Sequence, residues 1–181
     1  PTAFAEQPAT FEGIVRENGQ VGTRNYIGIL TTVNCSATVA RAIADHFRRD
    51  IHPERLAPYP NVDGVVALTH GSGCAIDPQG EGLAVLRRTL GGYACHPNFA
   101  AVLVVGLGCE TNQVDQLLAT QGLSESPRLR GYTLQDNAGT TTAIRLGIEH
   151  VTGMLPAAND VRRVPVPARH LVVGLQCGGS D

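Results

Sequence analysis

The chain has 181 residues, 43% of them hydrophobic, which is enough for one domain with a sizeable core and fits a globular rather than a disordered chain. A formal net charge of −2, with four Tyr, four Phe and no Trp, excludes the basic, stacking-rich surface that nucleic-acid binding needs. All fourteen basic residues are arginine, so lysine chemistry is excluded and any anionic ligand must be held by guanidinium groups or backbone N–H.

Residues 1–12 form an irregular lead with neither the basic n-region nor the apolar h-region of an export signal. Tyr26 to Val33 is a short apolar run with β-branched residues, which predicts a buried strand. Ser36 to Arg49 then sets Val39, Ala40, Ile43 and Phe47 at helical spacing. The pattern recurs as a strand over Val62 to Thr69 with a helix near Gly80 to Leu90. It recurs again as a strand over Ala100 to Leu107 with a helix near Asn112 to Thr120. A weaker strand, Gly131 to Gln135, precedes a helix from Thr140 to about Leu155 with Thr and Asn as its expected caps. Pro156 to Arg169, with its prolines, reads as a connection, and Leu171 to Leu175 as a closing strand. Alternating strands and helices imply parallel pairing with right-handed crossovers. The expected fold for residues 13–181 is therefore a three-layer, doubly wound α/β domain with a mostly parallel, Rossmann-like sheet.

Parallel strands bring their carboxyl ends to one edge, where ligands of open α/β sheets bind. Asn34-Cys35-Ser36 follows the first strand, His70-Gly71-Ser72-Gly73-Cys74 the second, and Gly108-Cys109-Glu110 the third. Gln135 to Thr140 follows the fourth, and Gln176-Cys177-Gly178-Gly179-Ser180-Asp181 the last. Four of the five cysteines are thus expected on one rim, with glycines that let the backbone approach an anion. His70, Cys74 and Cys109, with Glu110 beside them, make an N/S/O set suited to Zn or Fe(II). The duller reading is that each Cys is a buried structural residue. The spacing matches no closed zinc pattern, and the full Gly-x-Gly-x-x-Gly pattern of a dinucleotide loop is missing.

Outside the rim, His96-Pro97-Asn98 and Cys95 lie before the third strand, at the opposite edge, where a turn role is expected. Arg24 is either a carboxylate clamp or a surface ion pair, and Asp136-Asn137 either a rim element or a helix cap. With no export signal and no apolar run of the roughly 20 residues that cross a bilayer, the five cysteines are expected to be reduced thiols in the cytoplasm.

Gly22-Thr23-Arg24-Asn25, the His70 to Cys74 loop, His96-Pro97-Asn98, Gly106-Leu107-Gly108-Cys109-Glu110 and Cys177 to Asp181 occur here in one order. Together they resemble the altronate/galactarate dehydratase family over residues 13–181. The resemblance implies a lyase that removes water from a hexonate or hexarate to give a 2-keto-3-deoxy sugar acid. It implies a divalent metal, Fe(II) before Mn(II) or Zn(II), and related members eliminate sulfite from sulfolactate. It also implies a central domain whose partners are the sugar acid, a small N-terminal domain and a C-terminal domain starting near Cys177, with self-association left open. On this resemblance the 181-residue piece is expected to fold but not to turn over. The family motifs carry over His70, Cys74, Cys109 and Cys177 as metal ligands and Glu110 as a ligand or neighbouring acid. Arg24 with Asn25 would contact the substrate carboxylate, and no general base is identified. Asp136-Asn137-Ala138-Gly139 departs from the pattern, since a Gly-Gly pair is expected after Gln135. The alternatives are a non-catalytic anion-binding module on the same rim, or a hydrolase with Cys109 or Cys74 as nucleophile.

Overall fold

The computed structural model describes residues 9–176 and 178–179. Strands β1 (Thr10–Val15) and β2 (Val21–Gly22) open the chain as an antiparallel pair, and β3 (Tyr26–Thr31) begins the main sheet. A single 3-10 turn over Asn34–Ser36 leads into α1 (Ala37–His46), followed by the short α2 (Pro53–Leu56), β4 (Gly64–Leu68) and α3 (Glu81–Ala94). Then come β5 (Phe99–Gly106), α4 (Val114–Thr120), β6 (Leu129–Thr133), α5 (Thr140–Asn159) and β7 (Val164–Pro167).

The main sheet runs β4-β3-β5-β6 with every pair parallel. Every residue of β5 is buried, as a strand covered on both faces requires. Its side chains alternate: Leu103 and Val105 join Ile27 and Ile29 of β3 against α1 and α5, with Val39, Ile43, Val151 and Leu155. Val102 and Val104 join Leu30 on the opposite face against Leu90 of α3 and Val114, Leu117 and Leu118 of α4. Helices therefore cover both faces of a doubly wound sheet. Its order reverses between β3 and β5, and the crevice beyond their carboxyl ends is the topological switch point.

Four expectations are corrected. Leu171 to Leu175 forms no strand: Val172 is 97% exposed and Leu175 93%, so these apolar residues meet no sheet edge among the described residues. The supposed connection from Pro156 to Arg169 holds the last turn of α5 and the strand β7. Pro156 is tolerated within the helix because Leu155 and Ala158 stay buried against the core on either side of it. Pro165 and Pro167 are tolerated because β7 is an edge strand, antiparallel to β1, whose missing N–H groups leave no second neighbour unsatisfied. That pairing takes in Thr10 to Glu12, so the lead is regular from Thr10 onward. Lastly, α5 is entered through Gly139 at φ 99°, with no side-chain cap, and the Asn137 amide donates instead to Thr133 O at 2.8 Å. Among the described residues no helix is long and apolar enough to cross a membrane.

Candidate active site

The carboxyl ends of β3, β4 and β5 are tied together by hydrogen bonds that place their loops. The Ser36 hydroxyl, fully buried, lies 2.9 Å from Val33 O and 2.8 Å from Val105 O, pinning the 3-10 turn to β5. The Asn34 N–H donates to Ser72 O at 2.9 Å, which brings the β4 loop onto that turn. Gly73 makes this approach achievable: it sits at φ 101°, and a Cβ there would lie 2.4 Å from Thr32 O. The His70 ring fixes the same loop, with Nε2–H donating to Thr31 O at 2.8 Å and Nδ1 accepting from the Ser72 N–H at 3.2 Å. Arg41 of α1 donates to the Thr69 hydroxyl at 2.9 Å, putting a guanidinium beside the loop.

The β5 loop turns around Glu110, a carboxylate 2% exposed. It accepts from Thr32 Oγ1 at 2.6 Å, from Leu107 N at 3.0 Å and from Gly108 N at 2.6 Å. Burial pushes its pKa up, but the Thr32 hydroxyl and the backbone donors of Gly108, Glu110 and Leu107 outweigh that and hold it below the ordinary glutamate range. Gly106 leaves room for this carboxylate, since a Cβ there would lie 2.7 Å from Glu110 Oε1. Asn112, fully buried, continues the network by donating to Thr32 O at 3.2 Å and accepting from Arg87 Nε at 3.0 Å.

The result is a cluster of thiols. Cys35, Cys74 and Cys109 are all free and exposed. The three loops that carry them meet: Asn34 N–H donates to Ser72 O at 2.9 Å and the Thr111 hydroxyl to Cys74 O at 3.3 Å, and loss of solvent around the sulfur, then Cys74 and Cys109, push the Cys35 thiol above its ordinary range. Beside them lies a hollow of about 290 Å³ lined by Asn34, Gly71, Ser72, Gly73, Cys74 and Ile76, with no carboxylate in its wall. A second hollow of about 370 Å³, beyond Gly108, is lined by Asp115, Glu125 and Asp136 and would repel an acid.

Each expected site residue among the described residues has a definite place. Cys74 and Cys109 reach the rim, and Cys177 lies outside the described residues. His70 reaches it too, but both ring nitrogens are used, so binding a cation would cost it one of those hydrogen bonds. Glu110 is held beneath the rim rather than presented on it. Arg24 and Asn25 precede β3 and so lie at the other end of the sheet, about 20 Å away for a six-residue strand. Asn25 is fully buried, and its side chain accepts from Arg16 Nη2 at 2.9 Å and donates to Asn61 O and Ala158 O, each at 2.8 Å. Among the described residues no three His, Cys, Asp or Glu side chains are arranged to hold a metal ion. By donor chemistry the exposed thiols suit a borderline or soft divalent cation, whereas His70 and Glu110 as placed do not.

Sequence reasoning missed Thr32, Asn112 and Arg41. Thr32 had a signal, a polar residue at the end of an apolar strand. Asn112 and Arg41 had none beyond their polarity, because only the fold turns them toward the rim.

A family model described as D-galactarate dehydratase/altronate hydrolase, second domain, matches residues 13–159. The chain is 36% identical to an altronate dehydratase of Escherichia coli (strain K12), covering 92% of this chain and 32% of that protein. It is 37% identical to a galactarate dehydratase (L-threo-forming) of the same strain, covering 95% and 33%. It is 30% identical to a (2R)-sulfolactate sulfo-lyase subunit beta of Chromohalobacter salexigens, covering 95% and 39%. The chain thus spans between about a third and two fifths of the length of these curated relatives.

Proposed function

The chain belongs to the D-galactarate dehydratase/altronate hydrolase family as its second domain, and on that premise we propose that it supplies the reaction edge of a metal-dependent sugar-acid hydro-lyase. The reaction takes an altronate- or galactarate-type acid to a 2-keto-3-deoxy sugar acid and water: the C2 proton and the C3 hydroxyl leave, and the enol formed reverts to the ketone. Support comes above all from the exposed Cys35, Cys74 and Cys109, carried on the loops that follow β3, β4 and β5 at the switch point of the sheet.

Cys74 and Cys109, with Cys177, would hold a divalent ion, Fe(II) before Mn(II) or Zn(II). The chemistry it would supply is to acidify the proton next to a bound carboxylate and to ease loss of the neighbouring hydroxyl. The chain's own residues do the positioning. His70 holds the loop that carries Cys74, and ionised Glu110 with Thr32 holds the one that carries Cys109. Glu110 is therefore unsuited to donate a proton near neutral pH. Arg41 takes the carboxylate role first expected of Arg24, because its guanidinium stands at the rim beside Thr69. We assign the protein to the cytoplasm, whose reducing pool keeps such thiols free.

The test is an anaerobic assay of the complete gene product with Fe(II) against a panel of aldonates and aldarates, following 2-keto acid formation. Turnover of one acid, reduced roughly 100-fold or more in Cys109→Ala, is expected. Acids bound without turnover would instead indicate an anion-binding module. The sulfo-lyase relative favours one further reading, elimination of sulfite at the same rim, so sulfolactate belongs in the panel with sulfite release as its readout.

A further inference from the structure

The turn that carries Cys109 is tied down from three directions. Its upstream carbonyl groups are taken by the end of β6: the Leu134 N–H donates to Gly106 O and the Gln135 N–H to Leu107 O, each at 3.0 Å. Its N–H groups at Leu107 and Gly108 donate to the Glu110 carboxylate. The carbonyl groups on either side of Cys109 go to a single side chain. The Gln113 amide Nε2 donates to Gly108 O at 3.1 Å and to Glu110 O at 2.7 Å. An amide nitrogen carries two hydrogens, so one residue can satisfy both acceptors.

Gln113 is not spent on its own helix. It stands directly before α4, where a polar side chain commonly caps the first turn, yet it makes no capping bond. Its amide reaches back to the turn instead, while its neighbour Asn112 ties the same loop to Thr32 O on β3. The turn needs such a tie. Gly108 sits at φ 124°, and a Cβ there would lie 2.6 Å from Gln135 Oε1, so the backbone takes a course open to glycine alone. Glycine is also the residue with most freedom to lose on ordering. Cys109 is exposed, so packing around its side chain does not aim the thiol. The two flanking peptides do, and the Gln113 amide holds both.

We propose that Gln113 is a positioning residue for Cys109: by holding the Gly108 and Glu110 carbonyl groups it fixes the direction in which the thiol meets a divalent ion at the rim. The ion's part rests on the proposed function, whereas the hold on the thiol does not. A Cys109 on loosened peptides would keep its donor atom but would have to be ordered at each binding event, which lowers affinity.

The experiment compares the complete gene product with its Gln113→Ala, Gln113→Glu and Gln116→Ala variants under anaerobic conditions. Glutamate keeps the length of the side chain but has no N–H to donate at neutral pH, and Gln116, exposed on α4, is the control. Iodoacetamide alkylation, resolved by residue with mass spectrometry, is the first readout. The Cys109 rate should change severalfold in both Gln113 variants while the Cys35 rate stays as in the parent, and Gln116→Ala should alter neither. Co(II) uptake, followed by thiolate-to-cobalt absorption, is the second, and should weaken about 10- to 100-fold in both Gln113 variants and stay unchanged in Gln116→Ala. A parental Cys109 rate in Gln113→Glu, Cys35 and Cys109 rates that change together, or parental Co(II) affinity in both Gln113 variants would overturn the proposal. A parent that takes up no Co(II) would sink the rim as a metal site and with it the ion's part, and the alkylation rates would still decide whether Gln113 holds the thiol.

Discussion

The two ends of the parallel sheet are built on opposite plans. At the amino end, polar side chains are consumed: Asn25 spends its amide on three partners, Arg16 reaches three acceptors, and Asn98 closes the turn before β3. At the carboxyl end the satisfied groups, Glu110, Thr32, Asn112 and Ser36, lie beneath the surface, and three thiols are left exposed above them. One end joins the small β1-β2-β7 sheet to the main one, and the other holds reactive groups still over a rigid floor. Resemblance at the level of motifs cannot separate these roles, because both ends carry family motifs; burial and bonding do.

The comparison breaks most easily at the amino end. Asn25→Ala removes a fully buried amide and strands the Arg16 donor and two carbonyls. It should cost about 2–4 kcal/mol, read as a lower denaturation midpoint, while alkylation of Cys35, Cys74 and Cys109 in the folded protein stays as in the parent. Altered thiol reactivity without loss of stability would reverse the assignment of the two ends.

Glu110→Gln comes next, at about 1–3 kcal/mol, since an amide keeps one acceptor oxygen where three donors converge. The pH dependence sharpens it. A carboxyl held below its unfolded value contributes stability that is complete above about pH 4.3 and is lost as the pH falls through the folded value. The gap between parent and Glu110→Gln should therefore be widest near neutral pH and close in acid. A gap that does not change with pH would mean that Glu110 is not held ionised.

The four βα units were legible because apolar, β-branched runs alternate with helical spacing, and parallel order then dictates which loops share an edge. Burial was not legible locally. Leu171 to Leu175 has the composition of β5 but no neighbour to pair with among the described residues, and β7 hid behind prolines that an edge strand tolerates. For the site, chain order brought Cys35, Cys74 and Cys109 together. The same order set Arg24 and Asn25, directly before a parallel strand, at the opposite end, and family motifs alone obscured this. Thr32, Asn112 and Arg41 depend on contacts between residues 28 to 80 positions apart, which no local pattern records.

The smallest expected effect on stability is that of Arg41→Ala, within about 0.5 kcal/mol because the side chain is exposed. In the complete enzyme it should raise KM for the acid far more than it lowers kcat. An unchanged KM would remove Arg41 from the substrate-binding role.

The most direct test of the rim is metal analysis of anaerobically purified protein. About one Fe, Mn or Zn per chain, lost in Cys109→Ala and kept in Arg24→Ala, is the predicted result. Equal metal in both variants, or protein that takes up none from excess Fe(II), would contradict the account.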